Sequence, residues 1–168
     1  GYLAAEHLLR LGCRRIAFLA RPQSAVSVDA RIAGVREALA RWGIEQPPDW
    51  VQTGHPEDVD HVRALLGRGS WDAMVVANDS TAAQLVDTLA RIDVNVPRDL
   101  RVVGFDDAKH ARSLAVPLTT IHQPCANIAR VAYRAMRERL LDPTLPARSL
   151  LLAPRLVVRQ SCGAYLSR

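Results

Sequence analysis

The chain has few aromatic residues (5%), one lysine, and three cysteines in 168 residues. It has no apolar run approaching the roughly 20 residues that a membrane-spanning helix needs, so no membrane partner is expected. Its opening stretch carries Glu6, His7 and Arg10 inside an apolar stripe, the pattern of an amphipathic helix and not of a secretory leader. Cysteines 13, 125 and 162 are odd in number, widely separated and outside any CxxC. That excludes a disulfide framework or thiolate metal site and favours a reducing cytoplasm. GxSxG, GxGxxG, HExxH and phosphate-loop patterns are absent, and His7, His55, His61, His110 and His122 are dispersed. No catalytic centre, metal site or cofactor is therefore expected. The net charge of +5 rests on arginine, and the basic residues are scattered apart from RR at 14–15 and RAMRER at 134–139. Such a distribution does not describe a DNA-binding surface.

What is present is an alternation of short apolar runs and amphipathic stretches. Helices are expected at 2–11, 30–42, 57–67, 80–92 and 125–141; strands at 14–20, 49–53, 73–77, 100–105 and 118–121. In the second helix Ile32, Val35, Leu39 and Trp42 recur at helical spacing before Gly43. The strands are nearly continuous in apolar residues, as strands covered on both faces are. Repeated strand-helix units of this length predict an α/β fold, a parallel sheet with helices on both faces. The last third breaks the rhythm: after the 125–141 helix come SLLLAP and RLVVRQ, two strand-like runs separated by Pro154.

Three of the strands end on polar side chains. MVVAND ends on Asn78 and Asp79, VVGFDD on Asp106 and Asp107, and LTTIHQP on His122 and Gln123. In an open parallel sheet these ends share one rim, where ligands of doubly wound folds bind. Asn78 and Gln123 donate and accept, Asp106 accepts, and Arg31 offers a planar fork of donors. That set suits a ligand bearing several hydroxyls or a carboxylate. Asn78 serves equally well as a helix cap, and Asp79 or Ser80 is a candidate for that cap too. Arg31 is placed at the first turn of its helix, where a cation opposes the helix dipole unless a partner compensates it. The two adjacent carboxylates at 106–107 need compensation of their own. His55, in the TGHPED turn, either walls a ligand or lies in solvent. The acidic pair with Lys109 also admits a phosphoacceptor receiver, but Lys109 lies only two residues beyond it.

The strings EHLLRLGCRRIAFLA, ARIAGVREALARWGI, AMVVANDSTAAQLVDTL, VPRDLRVVGFDD, PLTTIHQP and PRLVVRQSCG together resemble the C-terminal effector-binding region of LacI/GalR bacterial transcription regulators. The resemblance implies a type I periplasmic-binding-protein fold with an effector held between two α/β subdomains. It implies Arg31 as the effector clamp, Asn78 and Asp106 as its hydrogen-bonding partners, Gln123 as a hinge-side contact and Ser27 as a minor contact. His55 stands where an aromatic residue is frequent in that family, and Pro124 and Cys125 follow the glutamine where a stacking aromatic is often found.

On this resemblance, residues 1–121 form a largely complete C-terminal subdomain. Residues 122–168 form a crossover, helix and strands that would complete an N-terminal subdomain mostly missing from the chain, then return. The implied function is a cytoplasmic, dimeric sensor of a sugar or related metabolite. Operator DNA would be reached only through an absent helix-turn-helix. A solute-binding protein for uptake is the rival reading. Without its companion sheet, the 125–141 helix is expected to expose apolar residues and to self-associate or dock elsewhere.

Overall fold

Five strands lie parallel because each is joined to the next by a crossover, and only the last strand reverses. A computed structural model describes residues 1–166. The elements are α1 (Tyr2–Arg10), β1 (Ile16–Ala20), α2 (Ser27–Arg41), β2 (Val51–Thr53), α3 (Val59–Gly67), β3 (Ala73–Val76), α4 (Asp79–Arg91), β4 (Arg101–Asp106), β5 (Thr119–His122), α5 (Cys125–Leu141) and β6 (Arg155–Val157). Single 3-10 turns occupy Lys109–Arg112 and Gln160–Cys162. The sheet order is β2-β1-β3-β4-β5-β6, with β6 antiparallel to β5. Strand order reverses at β1, which has β2 on one side and β3 on the other.

The expected α/β fold is present. Every residue of β1 and β3 is buried, because α1 packs with α2 and α3 packs with α4 while the sheet lies between them. Ala4, Ala5, Leu8 and Leu9 of α1 meet the core alongside Val35, Ala38 and Leu39 of α2, while α4 contributes Ala82, Leu85, Val86 and Leu89. Each fully buried leucine or valine among these contributes about 1.5–3 kcal/mol. α1 and α2 approach closely at Gly34, where a Cβ would lie 2.7 Å from the Tyr2 nitrogen. That contact fixes α2, and with it Arg31, against the sheet.

Three boundaries differ from the sequence expectations in ways that matter. α2 begins at Ser27 and not near residue 30. Val28 and Asp29 donate back to Ala25 and Val26, so the helix nucleates within the polar loop, and Arg31 falls in its second turn, away from the dipole's positive end. The cap of α4 is Asn78, whose side chain accepts from the Thr81 N–H at 2.8 Å. Asp79 is therefore the first helical residue, fully buried, and not a cap. SLLLAP forms no strand, and Leu151 is 94% exposed. RLVVRQ supplies only β6.

α5 spans the predicted residues but contains no buried one. Tyr133, Met136, Leu140 and Leu141 are exposed along it, so it does not dock on the sheet. The chain then returns through β6 to a buried corner at Ser161 and Cys162. Among the described residues no helix is long and apolar enough to cross a membrane.

Candidate functional site

The rim at the carboxyl ends of β3, β4 and β5 is assembled from one helix and three strand ends. α2 carries Arg31 over the sheet, where its guanidinium donates to the carbonyl of Ala77 at the end of β3. The same group lies over the Phe105 ring, with its central carbon 3.7 Å from the ring centroid. Partial burial pulls the Arg31 pKa below its ordinary value, and the Asp106 carboxylate opposes that shift. Arg31 is thus a half-buried cation with one donor spent on backbone and one face on an aromatic ring, near enough to Asp106 for that carboxylate to favour its charged form.

Asp106 ends β4 and pairs in register with His122 of β5. Its carboxylate accepts from Gln123 Nε2 at 2.7 Å. Asp106, at φ 116°, and Asp107, at φ 55°, both occupy backbone territory that costs a non-glycine residue about 1–3 kcal/mol. Asp79 holds this corner in place. Its carboxylate accepts from the Ala108 N–H at 2.8 Å and from the Thr120 hydroxyl at 2.6 Å, and Thr120 Oγ1 accepts from the Asp107 N–H at 3.3 Å. Burial raises the Asp79 pKa, and the hydrogen bonds from Thr120 and Ala108 work against that. Gly104 makes room for the arrangement, since a Cβ there would meet Asp79 Oδ1 at 2.3 Å.

Asp107 points the other way, into a basic cluster. It accepts from Arg159, contacts His122 Nδ1 at 3.0 Å and lies 3.5 Å from Arg112. Burial would raise its pKa, but the Arg159 guanidinium, His122 and Arg112 outweigh that and hold it below the usual carboxylate range. The compensation that two neighbouring carboxylates require is therefore divided, with Gln123 and Arg31 serving Asp106 and the second cluster serving Asp107.

Of the six candidates, the structure brings Arg31, Asp106 and Gln123 together, with Asn78 directly beyond the carbonyl that Arg31 holds. Asn78 spends its oxygen on the helix cap. Ser27 is exposed one helical turn before Arg31, on the same side of α2. His55 lies in the loop after the edge strand β2, 59% exposed at its side chain. It contacts Arg21 Nη1 at 3.3 Å and Glu57 at 3.6 Å and none of the other five candidates. Two rim residues escape the sequence reading. Phe105 is the platform under Arg31, and Arg21, directly after β1, bridges Glu57 at 2.6 Å and Gln84 of α4. Both stand at strand ends, the same signal that marks Asp106.

A concavity of about 330 Å³ lies beside this corner, bounded by Asp106, His122, Gln123, Pro124 and Asn127. The rim offers donors and acceptors but no nucleophile set against a base. Among the described residues, no group of three or more His, Cys, Asp or Glu could hold a metal ion.

Residues 5–162 match the periplasmic binding protein-like domain. The chain belongs to this family. It is 33% identical over 165 residues to the ribose operon repressor of Escherichia coli K12, covering 96% of this chain and 50% of the repressor. The complex of the transcriptional regulator CelR with cellobiose superposes with a TM-score of 0.86 at 33% identity, covering 95% of this chain and 50% of that one. A LacI family transcriptional regulator from Enterococcus faecium with bound ribose gives a TM-score of 0.81 at 27% identity, covering 95% and 60%. The chain spans about half the length of the curated relatives it matches. As a periplasmic binding protein-like domain, it presents its polar rim where ligands bind in doubly wound sheets.

Proposed function

We propose that the chain is the effector-sensing region of a LacI-type transcriptional regulator, and that its rim binds a small polyhydroxylated molecule, a sugar or close relative. The observation that carries this reading is the convergence of Arg31, Asp106 and Gln123 on the rim formed by the carboxyl ends of β3, β4 and β5. A cation held on an aromatic ring, a carboxylate and an amide can together hydrogen-bond adjacent hydroxyls as both donors and acceptors. The similarity to regulators named for ribose and cellobiose supports the same ligand class, and supports a regulator over an uptake protein.

Asn78 and Ser27 extend the contact surface on the α2–α4 side, and His55 borders it through Arg21 rather than by stacking on the ligand. Residues 125–154, with the exposed apolar side of α5, belong to a second lobe that closes over the rim. Such a sensor works through differential affinity: a ligand that prefers one arrangement of the lobes shifts their equilibrium by as much as that preference. In the whole protein, a cytoplasmic homodimer would carry this shift to operator DNA through a DNA-binding segment outside this region.

Calorimetric titration of the full-length protein with ribose, cellobiose and a panel of related sugars tests the assignment. Saturable binding of one panel member, lost in Arg31→Ala, is the expected result. Equal affinity in wild type and variant overturns the role of Arg31, and no binding across the panel overturns the ligand class.

A further inference from the structure

The body of the sheet is connected to the 125–152 region by two chain segments, one leaving after β5 and one returning into β6. Asp107 touches both. Its side chain is only 2% exposed, yet it bonds His122 at the end of the leaving strand and Arg159 just beyond the returning one. Arg159 is itself anchored: its guanidinium donates to the Leu118 carbonyl at 2.7 Å and its backbone N–H to Thr119 Oγ1 at 2.9 Å. The neighbouring Gln160 and Ser161 amides both donate to the Pro117 carbonyl at 3.0 Å. β5 and β6 are paired with His122 opposite Arg155, so the two connections leave the sheet side by side.

The residue before this clasp is Asp106, which bonds Gln123 and favours the charged form of Arg31. Both aspartates sit at positive φ. Few backbone conformations are open to non-glycine residues there, and hydrogen bonds to Asp79 and Thr120 hold this corner in place.

We propose that Asp107 is a positioning residue, a clasp that holds the leaving and returning segments to the Asp106 corner so that the rim and the base of α5 share one rigid frame. Its relevance to effector sensing rests on the function proposed above, whereas the clasp itself rests on the contacts of Asp107 and Arg159. Removing the carboxylate leaves a poorly exposed guanidinium and an imidazole without their common partner, and frees both connections together.

Amide hydrogen exchange on the whole chain tests this without any ligand, so its outcome is separate from that of the effector titration. In Asp107→Asn and in Arg159→Gln, exchange at 119–123 and at 155–158 is expected to quicken together by ten-fold or more, while α1–α4 and β1–β3 keep wild-type rates. Arg159→Lys is expected to restore part of the protection in both segments. A change confined to 106–110 would reduce Asp107 to a local turn residue and overturn the proposal. So would a uniform rise across the chain, or failure of both variants to fold, since either would mark the cluster as general core.

Discussion

Arg31 lies over Phe105, its guanidinium carbon 3.7 Å from the ring centroid, while donating to the carbonyl of Ala77. One residue in the second turn of a helix thereby joins the ends of two adjacent strands, β3 and β4. The guanidinium is oriented before any ligand arrives, which lowers the ordering cost of binding.

Replacing Arg31 by alanine is expected to weaken effector binding by about 2–5 kcal/mol, as when one side of a buried charged hydrogen bond is removed. Lysine should not rescue it, because a point charge neither stacks on the ring nor forks toward two acceptors. Phe105→Leu is expected to cost about 0.5–2 kcal/mol through loss of the cation–π platform. Calorimetry on the three variants with the sugar that binds wild type checks this order. Equal losses for lysine and leucine variants would refute it.

Asn78 caps α4 and borders the rim, and the two roles separate by substitution. Asn78→Ala is expected to lower stability by about 1 kcal/mol, the usual cost of a lost cap. Asn78→Ser keeps an acceptor for the Thr81 N–H and should denature close to wild type in urea. If Asn78 also contacts the ligand, the serine variant still loses affinity. Wild-type affinity in that variant would confine Asn78 to capping.

The buried Asp79 has its pKa raised from 3.8, with burial as the largest cause. A group that binds its proton more tightly when folded stabilises the fold below the unfolded pKa and loses that contribution as pH rises through the folded one. Asp107, held low, has the opposite dependence: its stabilisation is present above the unfolded pKa and disappears as pH falls through the folded one. The stability difference between wild type and Asp79→Asn should therefore move against wild type as pH climbs from about 4, the unfolded carboxylate value, and then level off. Paired urea denaturations across that range measure the difference. A flat difference would contradict the assignment.

α5 and the stretch after it expose Leu140, Leu141 and Leu151 at 74%, 78% and 94%. The 168-residue chain by itself is expected to self-associate through these side chains, since contiguous exposed apolar surface seeks cover. Sedimentation velocity should show larger species as concentration rises. The double substitution Leu141→Glu and Leu151→Glu should return the chain to monomer. A monodisperse wild-type monomer at high concentration would exclude this behaviour.

The rim was legible to the extent that it is local. Asn78, Asp106 and Gln123 each follow an apolar run closely, and strand direction alone sends them to one edge. Arg31 stood out by its type and its place ahead of an amphipathic repeat. Asp79 was misread as a cap because a carboxylate at a helix start usually is one. Its true partners, Thr120 and Ala108, are 41 and 29 residues away. Phe105 and Arg21 carry the same strand-end signal as Asp106, but nothing local says what an aromatic ring or a cation at a strand end will touch. SLLLAP has a composition that suits a strand, but composition does not determine which segments pair with the sheet.

Periodicity and apolar runs were sufficient for the element order, the parallel sheet and the polar edge, because each depends on residues within a few positions of one another. The choice of which carboxylate joins the rim and which is locked inside was made only by tertiary structure. Asp106 and Asp107 are chemically identical neighbours, and two successive positive φ angles send one toward Gln123 and the other into Arg159 and His122. Those angles are held by hydrogen bonds from distant segments, and no pattern within the 104–107 stretch encodes them.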